Sequence, residues 1–283
     1  MRAIDCHFHV GTQEMRDSLI TFIEAMEKHY KIKIPVRTVK EVADHYRIHD
    51  IKGIPVATDT ETFTGLPAVS NDFVANMVKD HPDAFIAGYG SVDPWKGELA
   101  IKEAERCIKE LGLIGIKFAQ AIQGFFPSDR KFYPLWEKCV ELKCSVQFHT
   151  GTTGIGAGLP GGGGIKLKYV HPMQIDEVAA DFPDLKIIAL HVSWPWQEEM
   201  LAVLQHKGNV YNDLSGWSPK YFSPSLKREI NGRLQDKFMF GSDYPALMPE
   251  RWLDDFEKEG YKQEVIEKMF YKNAQRILGL KLD

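Results

Sequence analysis

Residues 3–10 read Ala3-Ile4-Asp5-Cys6-His7-Phe8-His9-Val10, and how this segment is read decides what the chain becomes. It is a short apolar run, and such a run fits a buried strand. Alternate residues of a strand face the same way, which puts Asp5, His7 and His9 on one face and Ile4, Cys6, Phe8 and Val10 on the other. An acid and two imidazoles on one buried face are costly unless something compensates them. A metal ion suits paired neutral imidazoles; hydrogen-bonded core histidines are the alternative.

Seven more strand-like runs follow: 51–58 (IKGIPVAT), 85–92 (FIAGYGSV), 115–119 (GIKFA), 145–151 (SVQFHTG), 186–192 (KIIALHV), 210–215 (VYNDLS) and 238–245 (FMFGSDYP). Between them lie segments of helical period, among them 98–112, 132–143, 174–183 and 196–208, with apolar residues at three- and four-residue intervals. Strand and helix alternating eight times predicts a parallel sheet, and eight repeats close naturally into an α/β fold of the (β/α)8 TIM-barrel kind, a single domain over 1–283. An open doubly wound sheet is the competitor, weakened by the lack of a G-x-G-x-x-G turn after the first strand. Two regions exceed a minimal barrel. One is an insertion after the first strand, residues 12–50, with helical material in 15–30 and 39–46. The other is the glycine-rich loop 150–169 after the fifth strand, expected to be mobile. Both are expected at the C-terminal face of the barrel, as a lid or a specificity wall.

The chain is 44% hydrophobic and 26% charged, with a net charge of −4 and both signs interspersed. Such a composition is that of a globular protein. Without a basic stripe or an amphipathic membrane segment, neither nucleic acid nor a membrane is an expected partner. The strand beginning at once is expected to leave no room for a signal peptide. Cys6, Cys107, Cys139 and Cys144 lack metal-binding spacing and are expected to be reduced, buried thiols of a cytoplasmic protein, Cys6 pointing away from the histidines.

The unusual polar residues recur near the ends of the predicted strands: Asp5, His7 and His9 on the first, Lys117 on the fourth, His149 on the fifth, His191 on the sixth and Asp243 on the eighth. In a barrel those ends converge on one small volume. Imidazoles and a carboxylate drawn from different strands suit a divalent ion such as zinc with a position left for water, whose pKa the ion would lower toward neutrality. His29, His45, His49, His81, His171 and His206 fall in helical or loop patterns and read as structural or surface residues, with His29, His45 and His49 within reach of the pocket from the insertion.

The blocks 4–11 (IDCHFHVG), 112–129 (GLIGIKFAQAIQGFFPSD), 146–151 (VQFHTG), 171–196 (HPMQIDEVAADFPDLKIIALHVSWPW), 240–245 (FGSDYP) and 265–280 (VIEKMFYKNAQRILGL) stand in an order and spacing that resembles the amidohydrolase superfamily. Within it, the sequence is similar to the amidohydrolase-related branch containing aminocarboxymuconate semialdehyde decarboxylase, resorcylate-type decarboxylases and pyrone dicarboxylate lactonase. The resemblance implies that His7, His9, His149 and Asp243 hold one metal ion, most simply Zn2+. It implies that His191 hydrogen-bonds water or substrate, or ligates a second ion in a two-metal site, and that Asp243 doubles as general base. Asp5 is expected to orient the first strand rather than bind metal. Lys117 is expected to meet a substrate anion; carbamylation to bridge two ions is the other reading. Gln120 and Gln123 are candidates to line the same mouth, and a homo-oligomer is a family-level expectation.

Trp194, Trp196 and Trp217, with Phe125 and Phe126, follow strands six, seven and four and offer an apolar wall for a planar, small-molecule substrate, Trp194 and Trp217 being the substrate-binding candidates. Two reactions fit one ligand set. The first choice is hydrolysis of an amide, lactone or ester by metal-activated water, with Asp243 and His191 catalytic. The alternative is metal-dependent non-oxidative decarboxylation of an aromatic or unsaturated acid, which needs a cation for the carboxylate; Lys117, Arg37, Arg47 and Arg130 are the candidates.

Overall fold

The computed structural model describes residues 1–282. Eight parallel strands run in sequence order: β1 Ala3–His9, β2 Ile51–Val56, β3 Tyr89–Ser91, β4 Gly115–Phe118, β5 Ser145–His149, β6 Lys186–Leu190, β7 Val210–Asp213 and β8 Phe238–Met239. Three backbone hydrogen bonds close the ring between β1 and the chain leaving β8: Cys6 N to Phe240 O (3.0 Å), Asp243 N to His7 O (2.9 Å) and His9 N to Tyr244 O (2.8 Å). The α/β (β/α)8 TIM barrel read from the alternation is therefore the fold.

The helices expected at 98–112, 132–143, 174–183 and 196–208 are Glu98–Lys109, Tyr133–Glu141, Met173–Asp181 and Gln197–His206. The insertion after β1 holds Gln13–Ser18, Ile20–Tyr30 and Val39–Ile48. The last of these starts at a reciprocal cap in which the Thr38 hydroxyl accepts from the Glu41 amide and the Glu41 carboxylate accepts from the Thr38 amide. The glycine run follows a defined path of tight turns laid on Ile20–Tyr30: a Cβ at Gly163 would stand 3.1 Å from Phe22, and one at Gly154 would stand 3.1 Å from Met26. The two departures from a minimal barrel thus pack on each other. No helix among the described residues is long and apolar enough to cross a membrane.

Apolar burial divides into two layers. The larger lies between the outward strand faces and the helices and includes Phe8, Ile116, Phe118, Val146, Phe148 and Ile187. The smaller fills the barrel, with Ile4, Cys6, Ile54, Val56, Tyr89, Ile188, Leu190 and Met239, and Ile277 of the helix Asn273–Leu278 packs against it.

This division corrects the simple alternation of β1. Asp5 pairs with Gly53 of β2 but Phe8 pairs with Pro55, so β1 carries one extra residue between them. Such a bulge shifts the side-chain phase. Ile4 and Cys6 face the barrel interior below His7 and His9, while Asp5 faces the helical layer, where it meets Tyr46. Cys6 accordingly does not point away from the histidines' side of the strand, although all four thiols are free and buried as expected.

β8 is also shorter than the sequence run 238–245. Beyond its two regular residues, Ser242 donates its amide (2.9 Å) and its hydroxyl (2.5 Å) to the Asp5 carboxylate, while Asp243 and Tyr244 remain bonded to β1 through the backbone. β3 is short as well. Phe85 pairs with Gly53 only in an isolated bridge, leaving Tyr89–Ser91 as the regular strand.

Candidate active site

The strand ends bring His7, His9 and Asp243 together, with one donor atom of each within 4.8 Å of the others. Asp243 Oδ1 lies 3.3 Å from His7 Nε2 and 3.4 Å from His9 Nε2. Bonds of about 2.0–2.2 Å to a four-coordinate ion would put neighbouring donors about 3.4 Å apart, so the spacing is that of ligands around a shared cation. His7 supplies a second indication. It is fully buried, yet among the described residues neither of its ring nitrogens has a hydrogen-bond partner, a costly state that a metal ion would relieve.

The electrostatics agree. Burial pushes His7 down to about 3, with Asp243 opposing, and lowers His149 to about 4, the Lys117 charge adding to the effect. His9 and His191 are lowered too, by burial first. These imidazoles are neutral near neutral pH, the form that ligates metal. Burial alone would raise Asp243, but His191, His7 and His9 outweigh it and hold the carboxyl below its usual range.

His149 and His191 form a second unit. His149 Nε2 lies 3.1 Å from the Thr152 carbonyl, which can only accept, so that nitrogen carries the proton and Nδ1 accepts from His191 Nε2 at 3.1 Å. His191 Nδ1 lies 3.0 Å from the Ser215 hydroxyl and 3.3 Å from the Ser215 carbonyl. The result is a chain running from Ser215 through both rings to Thr152. Strict alternation after Ile188 and Leu190 would turn His191 outward; a left-handed backbone at φ 70° returns it to the site. In this arrangement both His149 nitrogens are engaged, and the three donors that converge are His7, His9 and Asp243.

Lys117 projects from β4, 4% exposed, and its ammonium has no hydrogen-bond or ion-pair partner among the described residues. Burial lowers it to about 8, and Asp243 is the charge that opposes this. Of the other cations, Arg47 is committed to Asp44 and Asp83, Arg130 is exposed, and Arg37 lies over the Tyr244 ring at 5.8 Å. Trp194, 47% exposed, and half-buried Trp217 stand side by side with ring centroids 6.0 Å apart.

Several expected site residues serve elsewhere. Phe125 is buried among Phe118, Phe132 and Trp136. Trp196 packs on His171. Gln123 bonds the carbonyls of Asp59 and Val92. Gln120 does not line the mouth either: it donates to the His149 carbonyl (3.1 Å) and accepts from the His149 amide (2.9 Å), fixing the end of β5. His45 and His49 face Glu250 rather than the pocket. Asp5 accepts from the Ser242 amide and hydroxyl and from the Tyr46 hydroxyl.

Sequence reading missed Ser215 and Gly216. Ser215 ends a strand-like run as the other polar residues do, so the same criterion could have found it. Gly216 has φ 76°, and a Cβ there would lie 3.1 Å from both Asp243 Oδ2 and His191 Nδ1. Gly216→Ala is expected to lower kcat/KM by about 10²-fold, through crowding of those two groups, and to cost about 1–2 kcal/mol from the left-handed backbone. Steady-state kinetics beside urea denaturation checks both; an unchanged kcat/KM would show that the space between Asp243 and His191 is not used.

Comparison with known proteins follows the same lines. The chain is 37% identical to gamma-resorcylate decarboxylase of a Polaromonas species, covering 75% of each chain. It is 26% identical to 2-amino-3-carboxymuconate-6-semialdehyde decarboxylase of Dictyostelium discoideum over 74% of this chain, and spans 65% of that enzyme's length. Among solved structures, a Polaromonas dihydroxybenzoic acid decarboxylase with bound manganese and the inhibitor 2-nitroresorcinol superposes with a TM-score of 0.68 at 19% identity, covering 99% of this chain and 98% of that one. The two enzymes named first fit the decarboxylase alternative better than the hydrolase that the sequence put first. The amidohydrolase family model matches residues 4–280, which include both histidines of β1 and Asp243, and the chain belongs to the amidohydrolase family.

Proposed function

We propose that the chain is a metal-dependent, non-oxidative decarboxylase of a small aromatic or unsaturated carboxylic acid. The observation that carries this reading is Lys117: a buried cation without a partner among the described residues, on the strand face that leads to His7, His9 and Asp243, suits a carboxylate held beside the cluster. The relatives named above supply the reaction class.

His7, His9 and Asp243 would hold a divalent ion, with His149 the fourth donor once it gives up its hydrogen bond to His191. Bound there, the ion supplies a Lewis-acidic centre for an anionic oxygen of the substrate. Lys117 grips the carboxylate and Trp194 with Trp217 flank the planar body. Ser215 fixes the ring of His191, which presents a hydrogen bond to the substrate in place of His149. In the reaction the bond between carbon and carboxylate breaks, its electron pair stays on the carbon, CO2 leaves, and that carbon takes a proton. Asp243, the one carboxylate in the cluster, relays this proton.

The test is a panel of ortho-hydroxylated benzoates, gamma-resorcylate among them, and unsaturated amino dicarboxylates, offered to protein loaded with Mn2+ or Zn2+. CO2 released in step with loss of the acid, and abolished by Asp243→Asn, is expected. Turnover of amides, lactones or esters with no CO2 from any acid would instead support the hydrolase.

A further inference from the structure

His45 and His49 lie four residues apart at the end of the helix Val39–Ile48, a spacing that puts two imidazoles on one face. Opposite them is Glu250, in the first turn of the helix Pro249–Glu257 that follows β8. His45 Nε2 is 3.0 Å from Glu250 Oε2 and His49 Nε2 is 3.9 Å from Glu250 Oε1, and the ring centroids are 4.7 Å apart. One imidazole suffices for a hydrogen bond to a carboxylate. The second, aimed at the other oxygen from beyond hydrogen-bond range, has no partner of its own among the described residues.

We propose that His45, His49 and Glu250 form a second, peripheral site for a borderline transition-metal ion, zinc in the first instance. Two imidazoles and one carboxylate with open positions are a recognised zinc set, and the same donors suit Ni2+ and Cu2+. The two nitrogen–oxygen separations bracket the roughly 3.4 Å that bonds of about 2.0–2.2 Å to a tetrahedral ion require, so small side-chain rotations complete the site. Side-chain exposures of 18%, 31% and 24% leave the donors reachable from solvent yet already positioned.

The location gives the site its consequence. The two helices belong to the insertion after β1 and to the segment after β8, so a shared ion ties the chain together across the seam where the barrel closes. His45 also stacks on Tyr244, with centroids 6.3 Å apart and planes at 27°, and Tyr244 directly follows Asp243. Occupancy therefore braces the segment that carries the carboxylate of the active site, without contributing to the reaction.

The experiment is a metal count by mass spectrometry on metal-free protein dialysed against micromolar zinc chloride. Two ions per chain are expected in the wild type, one in His49→Gln and one in Glu250→Gln, with the zinc-induced rise in Tm reduced in both. His7→Ala combined with His9→Ala should still bind one ion, so loss of the peripheral site is distinguishable from failure of the central one. A wild-type count, whether one or two, that is unchanged in both peripheral variants would overturn the proposal; circular dichroism establishes that each variant is folded.

Discussion

Lys117→Met is expected to stabilise the metal-free protein by about 3 kcal/mol near neutral pH while lowering kcat/KM by about 10²-fold. The folded state depresses the lysine from 10.5 to about 8, because burial disfavours its charge more than Asp243 favours it. Each pH unit of that gap is worth about 1.4 kcal/mol. The sign follows from the protonation states. Below about 8 the folded chain carries the buried charge at full cost; between about 8 and 10.5 the cost fades; above 10.5 the lysine is neutral in both states. Urea denaturation of both proteins should therefore show the largest gap at neutral pH and convergence above 10.5. Methionine has the length and flexibility to fill the same space. A variant no more stable than the wild type would mean that Lys117 already has a partner, and the argument for a carboxylate site would fail with it. This is the trade of stability for function that a poised, unpaired cation represents.

The double replacement His7→Ala, His9→Ala is expected to lower activity by about 10³-fold or more, since the metal's contribution to charge stabilisation is worth several kcal/mol. It should also abolish metal binding at the central site. The fold should persist, because among the described residues His7 makes no hydrogen bond with either ring nitrogen and the closing contacts of the barrel are made by backbone atoms. Metal analysis, kinetics and circular dichroism on one preparation test all three parts. Retained activity would remove the metal-site account; an unfolded variant would show that the imidazoles are core residues after all.

How much of this was legible in the sequence depends on what kind of information each feature carries. The eight strands were legible because a parallel barrel buries both faces of each strand, which leaves apolar runs separated by helical periods. The polar strand ends were legible for the converse reason, since His149, His191 and Asp243 interrupt runs that otherwise have no cause to contain them. The phase of β1 was not, because a bulge adds a residue without leaving a mark in the composition, and it reversed the faces assigned to Asp5 and Cys6. The bond from Ser242 to Asp5 was not legible either, because it joins residues 237 apart in the chain. Gln120 read as a pocket residue because its position after β4 is right; only the structure shows its amide spent on the backbone of His149. The pairing of His45 and His49 with Glu250 was equally invisible, since it joins elements from opposite ends of the chain.

Decarboxylation and hydrolysis use the same ligands and leave different isotopic marks. The decisive measurement is the mass of the product formed from an accepted acid in deuterium oxide and, separately, in 18O-labelled water. Decarboxylation predicts one deuterium on the carbon that carried the carboxylate, one CO2 released per product, and no 18O in the product. A product that gains 18O with no CO2 released would contradict the account and return the chain to the hydrolases.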